Sequence, residues 1–252
     1  MTLLHALAIL GAGVVAGAIN AVVGSGTLFT FPVLLAFGYA PVVANVSNTV
    51  GLVPGSAAGA WGYRRELTGQ RARTLRLSMA SLSGGVVGGV LLLTLPASAF
   101  KDIVPAFIII ALVLIVLQPR ISRALARRRR EGHVREHAGP AAMAAVFASG
   151  IYGGYFGAAQ GILLLAILSL SLDDNLQRIN ALKVVLAGLV NLIAGVIFVF
   201  AAHVNWGAAA LIAVGSIIGG VLGARGGRRL PAAALRAVIV VVGVFAIVRL
   251  VG

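Results

Sequence analysis

Lys183 is the residue with the most chemistry to offer. It lies five positions past Arg178 and is followed by the apolar run Val184-Val-Leu-Ala-Gly-Leu-Val. A lysine at the centre of a membrane helix costs about 2.5–3.5 kcal/mol. Such a residue either snorkels its amine to the interface or turns a positive charge toward a cavity that takes an anion. The acidic residues favour the second reading. There are six, Glu66, Asp102, Glu131, Glu136, Asp173 and Asp174, and all sit in loops or at segment ends. A cation carrier or a proton relay usually places a carboxylate at depth, whereas the deep formal charge here is positive. The anion follows as the expected cargo.

Few other polar side chains fall inside apolar runs. The first half has Asn20, Asn45, Ser47, Asn48 and Thr49; the second has Tyr152, Gln160, Asn180, Lys183 and Asn191. Interhelical hydrogen bonds explain some of these, at about 0.6 kcal/mol each. Four polar residues in the five from Asn45 to Thr49 exceed what packing needs, so that stretch is expected to line a site. Two glycine-flanked breaks complete the set. Gly24-Ser25-Gly26-Thr27 separates a full-length apolar run from a short one, and Gly157-Ala-Ala-Gln160-Gly161 does the same later. A break at membrane depth frees backbone amides that need partners or a wet cavity. The helix that follows it points free N–H groups and a positive dipole end at that cavity. Expected substrate-binding residues are therefore Lys183, Asn180, Asn45, Asn48, Thr49, Asn20, Ser25, Gly24, Gly26, Gln160 and Asn191. The histidines (His5, His133, His137, His203) lie at segment ends or in the linker and are given no role.

These residues need membrane helices to hold them. Of the 252 residues, 60% are hydrophobic and 10% charged, with a mean hydropathy of +1.05. A soluble domain is about 45–50% apolar and about 25% charged, so a wetted surface all round is excluded. The apolar runs are continuous rather than alternating, which excludes a membrane β-barrel. Ten segments are expected, at 4–23, 28–37, 42–62, 77–95, 100–118, 140–156, 162–172, 179–203, 206–224 and 232–251. Crossing the hydrocarbon takes about 20 residues. Eight segments manage this, some with their flanks; 28–37 and 162–172 are short. The net charge of +14 is not a nucleic-acid signal. The arginines fall in runs between apolar segments (Arg64 to Arg76, Arg120 to Arg135, Arg225 to Arg236), as in loops kept on the cytoplasmic side. The tetrad Arg127–Arg130 also suits anionic lipid. The N-terminus lacks the basic region of a signal peptide. The absence of cysteine removes disulfides and thiolate metal sites.

The chain is duplicated. Residues 84–101 align with 219–236 at an offset of 135, so that Gly84-Gly85-Val86 falls on Gly219-Gly220-Val221 and Leu95-Pro96-Ala97 on Leu230-Pro231-Ala232. Asn45 matches Asn180 at the same offset, and Gly17 and Gly24 match Gly150 and Gly157 at 133. The expected organisation is a first transmembrane repeat at 1–118, a basic cytoplasmic linker at 119–139 and a second repeat at 140–252. Paired short segments at matching places point to a transporter with its site between the repeats. The basic loop 63–76 has the neutral counterpart His203–Trp206, and the neutral loop 96–101 has a counterpart carrying Arg225, Arg228 and Arg229. This reversal favours inverted repeats of five crossings with both termini outside. The rival has four crossings per half, re-entrant short segments and both termini inside. Glycine pairs at four-residue spacing, such as Gly13/Gly17, Gly55/Gly59, Gly84/Gly88 and Gly215/Gly219, are read as close helix packing and not as ligand contacts.

The series Gly17-Ala-Ile-Asn20, Gly24-Ser-Gly26, Pro32, Asn45-Val-Ser-Asn48-Thr49, Pro54-Gly55-Ser56, Gly59 and Gly62-Tyr63-Arg64 resembles the first half of the TauE/SafE sulfite-exporter family. Asn180-Ala-Leu-Lys183 with Asn191, and Gly219-Gly220 with Gly223-Ala224-Arg225, resemble its second half. The resemblance covers nearly the whole chain. It implies an all-α, multi-pass protein of the bacterial inner membrane that moves sulfite, sulfonates or related sulfur-containing organic anions, mostly outward. No cofactor is expected, and the partners are the anion and membrane lipid, with self-association left open. A passive anion channel and an importer of another small solute are the alternatives. An intramembrane enzyme is disfavoured, because no deep carboxylate, cysteine or His-Glu-x-x-His spacing offers a metal site or an acid–base pair.

Overall fold

The computed structural model describes residues 2–130, 139–226 and 232–251. The linker residues Glu131, His133, Arg135, Glu136 and His137, and the Arg228, Arg229, Leu230 and Pro231 of the second repeat, lie outside the described residues. Every described element is an α-helix: α1 (Leu3–Val22), α2 (Thr27–Ala36), α3 (Pro41–Gly62), α4 (Arg71–Thr94), α5 (Ala97–Arg130), α6 (Pro140–Tyr155), α7 (Gln160–Ser171), α8 (Leu176–Ala201), α9 (Trp206–Gly226) and α10 (Ala232–Val251). The ten apolar segments thus each become one helix. α5 runs past the expected end at 118, through Pro119, so the stretch expected as linker starts as helix. Among the described helices, α1, α4, α5 (to Ile121), α8 and α9 are long and apolar enough to cross a membrane. α3 has the length, with 22 residues, but its polar stretch Asn45–Thr49 lowers its hydropathy, and α6 has 16 residues.

The helix contacts have a two-fold pattern. α1 and α3 pack on α9, while α6 and α8 pack on α4. α2 touches α10, and α7 touches α5; α3 meets α8, and α5 meets α10. Interchanging α1–α5 with α6–α10 leaves this pattern unchanged, and the fourth helix of each set is packed on the other set. Small residues make the exchange tight. A methyl built on Gly13 would stand 2.9 Å from the Ile212 carbonyl oxygen, and one on Gly154 would stand 2.9 Å from the amide nitrogen of Gly89. The expected packing role of the spaced glycines is met along both seams. Helices in lipid gain little from apolar burial, so close backbone approach is what binds them.

α3 and α8 run antiparallel. Near the start of α3, the Ser47 hydroxyl accepts from the Asn205 amide (2.9 Å), just beyond the end of α8. Just beyond the end of α3, the Thr68 carbonyl accepts from Arg178 (2.9 Å), near the start of α8. One end of the molecule therefore carries the α3–α4 and α7–α8 loops, and the other carries the α2–α3 and α8–α9 loops. The first end is tied by charge: Asp174 accepts from both Arg73 and Arg178. Gln70 braces this knot, accepting from Arg73 (2.9 Å) and donating to the Arg178 carbonyl (3.3 Å). Partial burial works against the Asp174 carboxylate. The bonds from Arg73, Arg178 and the Asn175 amide outweigh it and hold the carboxyl below its ordinary value. At the other end His5 stacks on Phe37 (4.4 Å between ring centres). His5, Tyr39 and Asn205 border a shallow recess there.

Candidate functional site

The two breaks form in the same way. After α1, the amides of Val23 and Gly24 both return to the Ile19 carbonyl (2.7 and 2.8 Å); after α6, those of Phe156 and Gly157 both return to Tyr152 (3.0 and 3.1 Å). Gly24 (φ +87°) and Gly157 (φ +77°) then turn left-handed, the region that a side chain disfavours. Ala159 (φ 60°) adds a strained residue to the second break. The breaks meet each other: the Gly161 amide donates to the Gly24 carbonyl at 3.0 Å. A methyl built on Gly24 would stand 2.5 Å from Cα of Gly161.

A cleft opens beside this crossing, bounded by both breaks and by α3 and α8. Its walls come as matched pairs. Gly24 and Gly157, Thr27 and Gln160, and Ser56 and Asn191 all line it, at offsets of 133, 133 and 135. Asn20, Ala21, Gly55, Gly59, Gly161, Val184 and Ala187 complete the lining. About 20 Å³ is free to the centre of a water-sized sphere, which is room for roughly one water. The site is therefore closed around its own polar groups in this conformation.

Four expected residues, Asn20, Gly24, Gln160 and Asn191, line the cleft. The others sit behind it. Asn45 and Asn180, matched in sequence, hold matched places: Asn45 Nδ2 donates to the Tyr155 carbonyl (3.0 Å), and Asn180 Nδ2 to the Ala21 carbonyl (3.1 Å). Each asparagine thus grips the end of the other copy's first helix, where carbonyls lose their intrahelical partners. Asn48, the counterpart of Lys183 at the offset of 135, accepts from Thr30 and donates to Thr27 Oγ1 (3.3 Å). Thr49 and Ser25 are buried, the Ser25 hydroxyl without a partner. The Gly26 amide is taken by Asn20 Oδ1 (2.7 Å), so that N–H is not offered to the cleft.

Lys183 is fully buried, with 0% of its surface exposed, so it does not snorkel. Its Nζ donates to the Asn20 carbonyl at 3.3 Å. That carbonyl and Ala21's belong to the last turn of α1, so the amine lies at the negative end of the helix dipole, a setting that favours its charged form by about 0.3–2 kcal/mol. Among the described residues the ion pairs are those of Asp174, and none of their carboxylates pairs with Lys183. The lysine does not line the cleft itself; it stands directly behind Asn20, which does.

Sequence reasoning missed Thr27 and Ser56, and it read Gly55 and Gly59 as packing alone. The signal for Ser56 was present, since it is the offset partner of Asn191. Gly55 does pack, against Ser216 of α9. Its other side is open to the cleft because α3 is wedged between α8 and α9.

The family model "Sulfite exporter TauE/SafE" matches residues 9–250. The probable membrane transporter protein YfcA of Escherichia coli (strain K12) is 28% identical over 212 residues, covering 83% of this chain and 76% of its own. The probable membrane transporter protein ORF9 of Sinorhizobium sp is 26% identical over 249 residues, covering 98% and 92%. A probable membrane transporter protein of Haemophilus influenzae is 28% identical over 222 residues, covering 84% and 81%. No solved structure matches the chain at a significant level. With paired breaks crossing at a polar cleft, helices long and apolar enough to cross a bilayer and a family match along almost its whole length, the chain belongs to the TauE/SafE family of multi-pass membrane transport proteins.

Proposed function

We propose that the protein exports a small anion, sulfite or a sulfonate, across the bacterial inner membrane by alternating access. The observation that carries this is the cleft between the two breaks, backed by a buried lysine amine with no carboxylate partner among the described residues. Thr27 and Asn20 face the anion, Lys183 supplies charge through one intervening residue, and the N-termini of α2 and α7 add their dipole ends. Asn45 and Asn180 act indirectly, by fixing where the breaks lie.

The repeats, 1–118 and 140–252, are read as inverted. Supporting this, the α3–α4 loop shares an end with the start of α8, whereas its counterpart, the α8–α9 loop, lies at the opposite end. A two-fold axis in the membrane plane relates such copies, and rocking one against the other would expose the cleft to each side in turn. A membrane potential negative inside drives anions outward by about 2.3 kcal/mol per charge per 100 mV, so export needs no coupling ion. The test is sulfite and sulfonate efflux from loaded vesicles, wild type beside Lys183→Ala. Saturating efflux with trans-stimulation is expected, slowed by the substitution. Equal rates would remove Lys183 from the mechanism, and unitary currents would replace the carrier with a channel.

A further inference from the structure

The two sides of the cleft differ in hydrogen-bond polarity. Asn20 and Gln160 carry the same amide group on opposite sides of the crossing, and a backbone group fixes which way each faces. Asn20 Oδ1 accepts from the Gly26 N–H, which leaves Nδ2 as a donor. Gln160 Nε2 donates to the Ser149 carbonyl (3.1 Å), which leaves Oε1 as an acceptor. Turning either amide over would set N–H against N–H, or oxygen against oxygen, so neither is free to reverse. No described residue occupies the remaining amide atom of either side chain, and neither atom is sealed from the cleft. The hydroxyls extend the division. Thr27 accepts from Asn48 and keeps its O–H to give, whereas Ser56 has given its O–H to the Leu52 carbonyl and keeps lone pairs. Asn191 lines the cleft with neither amide atom bonded to a described residue.

We infer that Gln160 selects anions carrying an O–H or N–H donor away from the charged oxygens: the oxyanion faces Asn20 and Thr27, and its donor group faces Gln160 Oε1. A hydrogen-bearing oxyanion and a hydroxylated or aminated sulfonate share this chemistry. A fully deprotonated dianion would set an anionic oxygen against Oε1. A sulfonate with an alkyl end would leave that acceptor buried without a partner, which a polar site penalises more than a lost contact.

This inference rests on the anion-export reading, and the experiment separates the two. The full chain is reconstituted in vesicles, and labelled sulfite counterflow is measured against two competitors of equal size, 2-hydroxyethanesulfonate and propane-1-sulfonate. The hydroxylated probe is expected to compete about ten-fold more strongly, the worth of one hydrogen bond to a buried acceptor. In Gln160→Met the ratio is expected to fall to near one through weaker binding of the hydroxylated probe alone. A wild-type ratio near one, or a ratio that survives Gln160→Met, overturns the assignment while leaving anion export intact. Absence of any sulfite counterflow in the wild type overturns both. Should Gln160→Met not fold, the wild-type ratio alone decides.

Discussion

The crossing of Gly24 over Gly161 can be taken apart one physical effect at a time. Three glycines separate backbone conformation from close contact. Gly38 has φ +81° and nothing within 4 Å of a built methyl, so Gly38→Ala measures the left-handed backbone alone. Gly161 lacks a positive φ, but a methyl there would stand 2.9 Å from the Gly24 carbonyl oxygen, so Gly161→Ala measures the clash. Gly24 has both problems, with φ +87° and a methyl 2.5 Å from the Gly161 backbone. The left-handed conformation costs an alanine about 1–2 kcal/mol, partly offset by about 0.4–1 kcal/mol from the stiffer unfolded chain. Overpacking adds about 1–3 kcal/mol, at the upper end here because backbone, and not a side-chain tip, is struck. Gly24→Ala should therefore cost about 2–5 kcal/mol and Gly38→Ala about 1 kcal/mol. Thermal unfolding in detergent reads the difference. At about 2–4 °C per kcal/mol, Gly38→Ala should lose a few degrees and Gly24→Ala on the order of ten. The double variant Gly24→Ala with Gly161→Ala should lose less than the sum, because the first methyl already parts the two breaks. If Gly24→Ala proves no less stable than Gly38→Ala, the two breaks are not in contact, and the cleft built on their crossing fails with them.

Asn180→Ala and Asn45→Ala each remove the donor to a helix-end carbonyl of the other repeat and should each cost about 1–3 kcal/mol in detergent unfolding; a loss confined to one of them would break the two-fold equivalence. The depressed Asp174 carboxyl adds stability that is present above the ordinary carboxylate value of about 4 and is lost as pH falls through its lower folded value. Melting temperature should therefore drop in that acid range, and Asp174→Asn should flatten the drop. The gain is small for a pair this near water, so an unchanged profile in Asp174→Asn would show the knot to be idle. A reporter fused after Gly252 should read external if the repeats are inverted; a cytoplasmic reading would restore the four-crossing arrangement.

Much of the architecture was legible because lipid leaves so few options. A backbone in hydrocarbon must bond to itself, so every apolar run of adequate length had to be a helix, and the glycine-flanked interruptions had to be breaks. The two short helices and the burial of Lys183 follow from the order of residues. Where each polar side chain points does not. Asn45 and Asn180 were polar at the right places, yet they turn sideways to hold helix ends, since carbonyls at a broken terminus compete for every donor within reach, and Asn48 is spent on the hydroxyls of Thr27 and Thr30. Thr27 reaches the cleft as the first residue of α2, directly after the first break, and Ser56 because α3 is squeezed between α8 and α9, an arrangement set by contacts between residues more than a hundred positions apart. Sequence determined which groups could afford to be inside the membrane. The exchange of fourth helices between the copies decided which of them meet, and in which direction each amide faces.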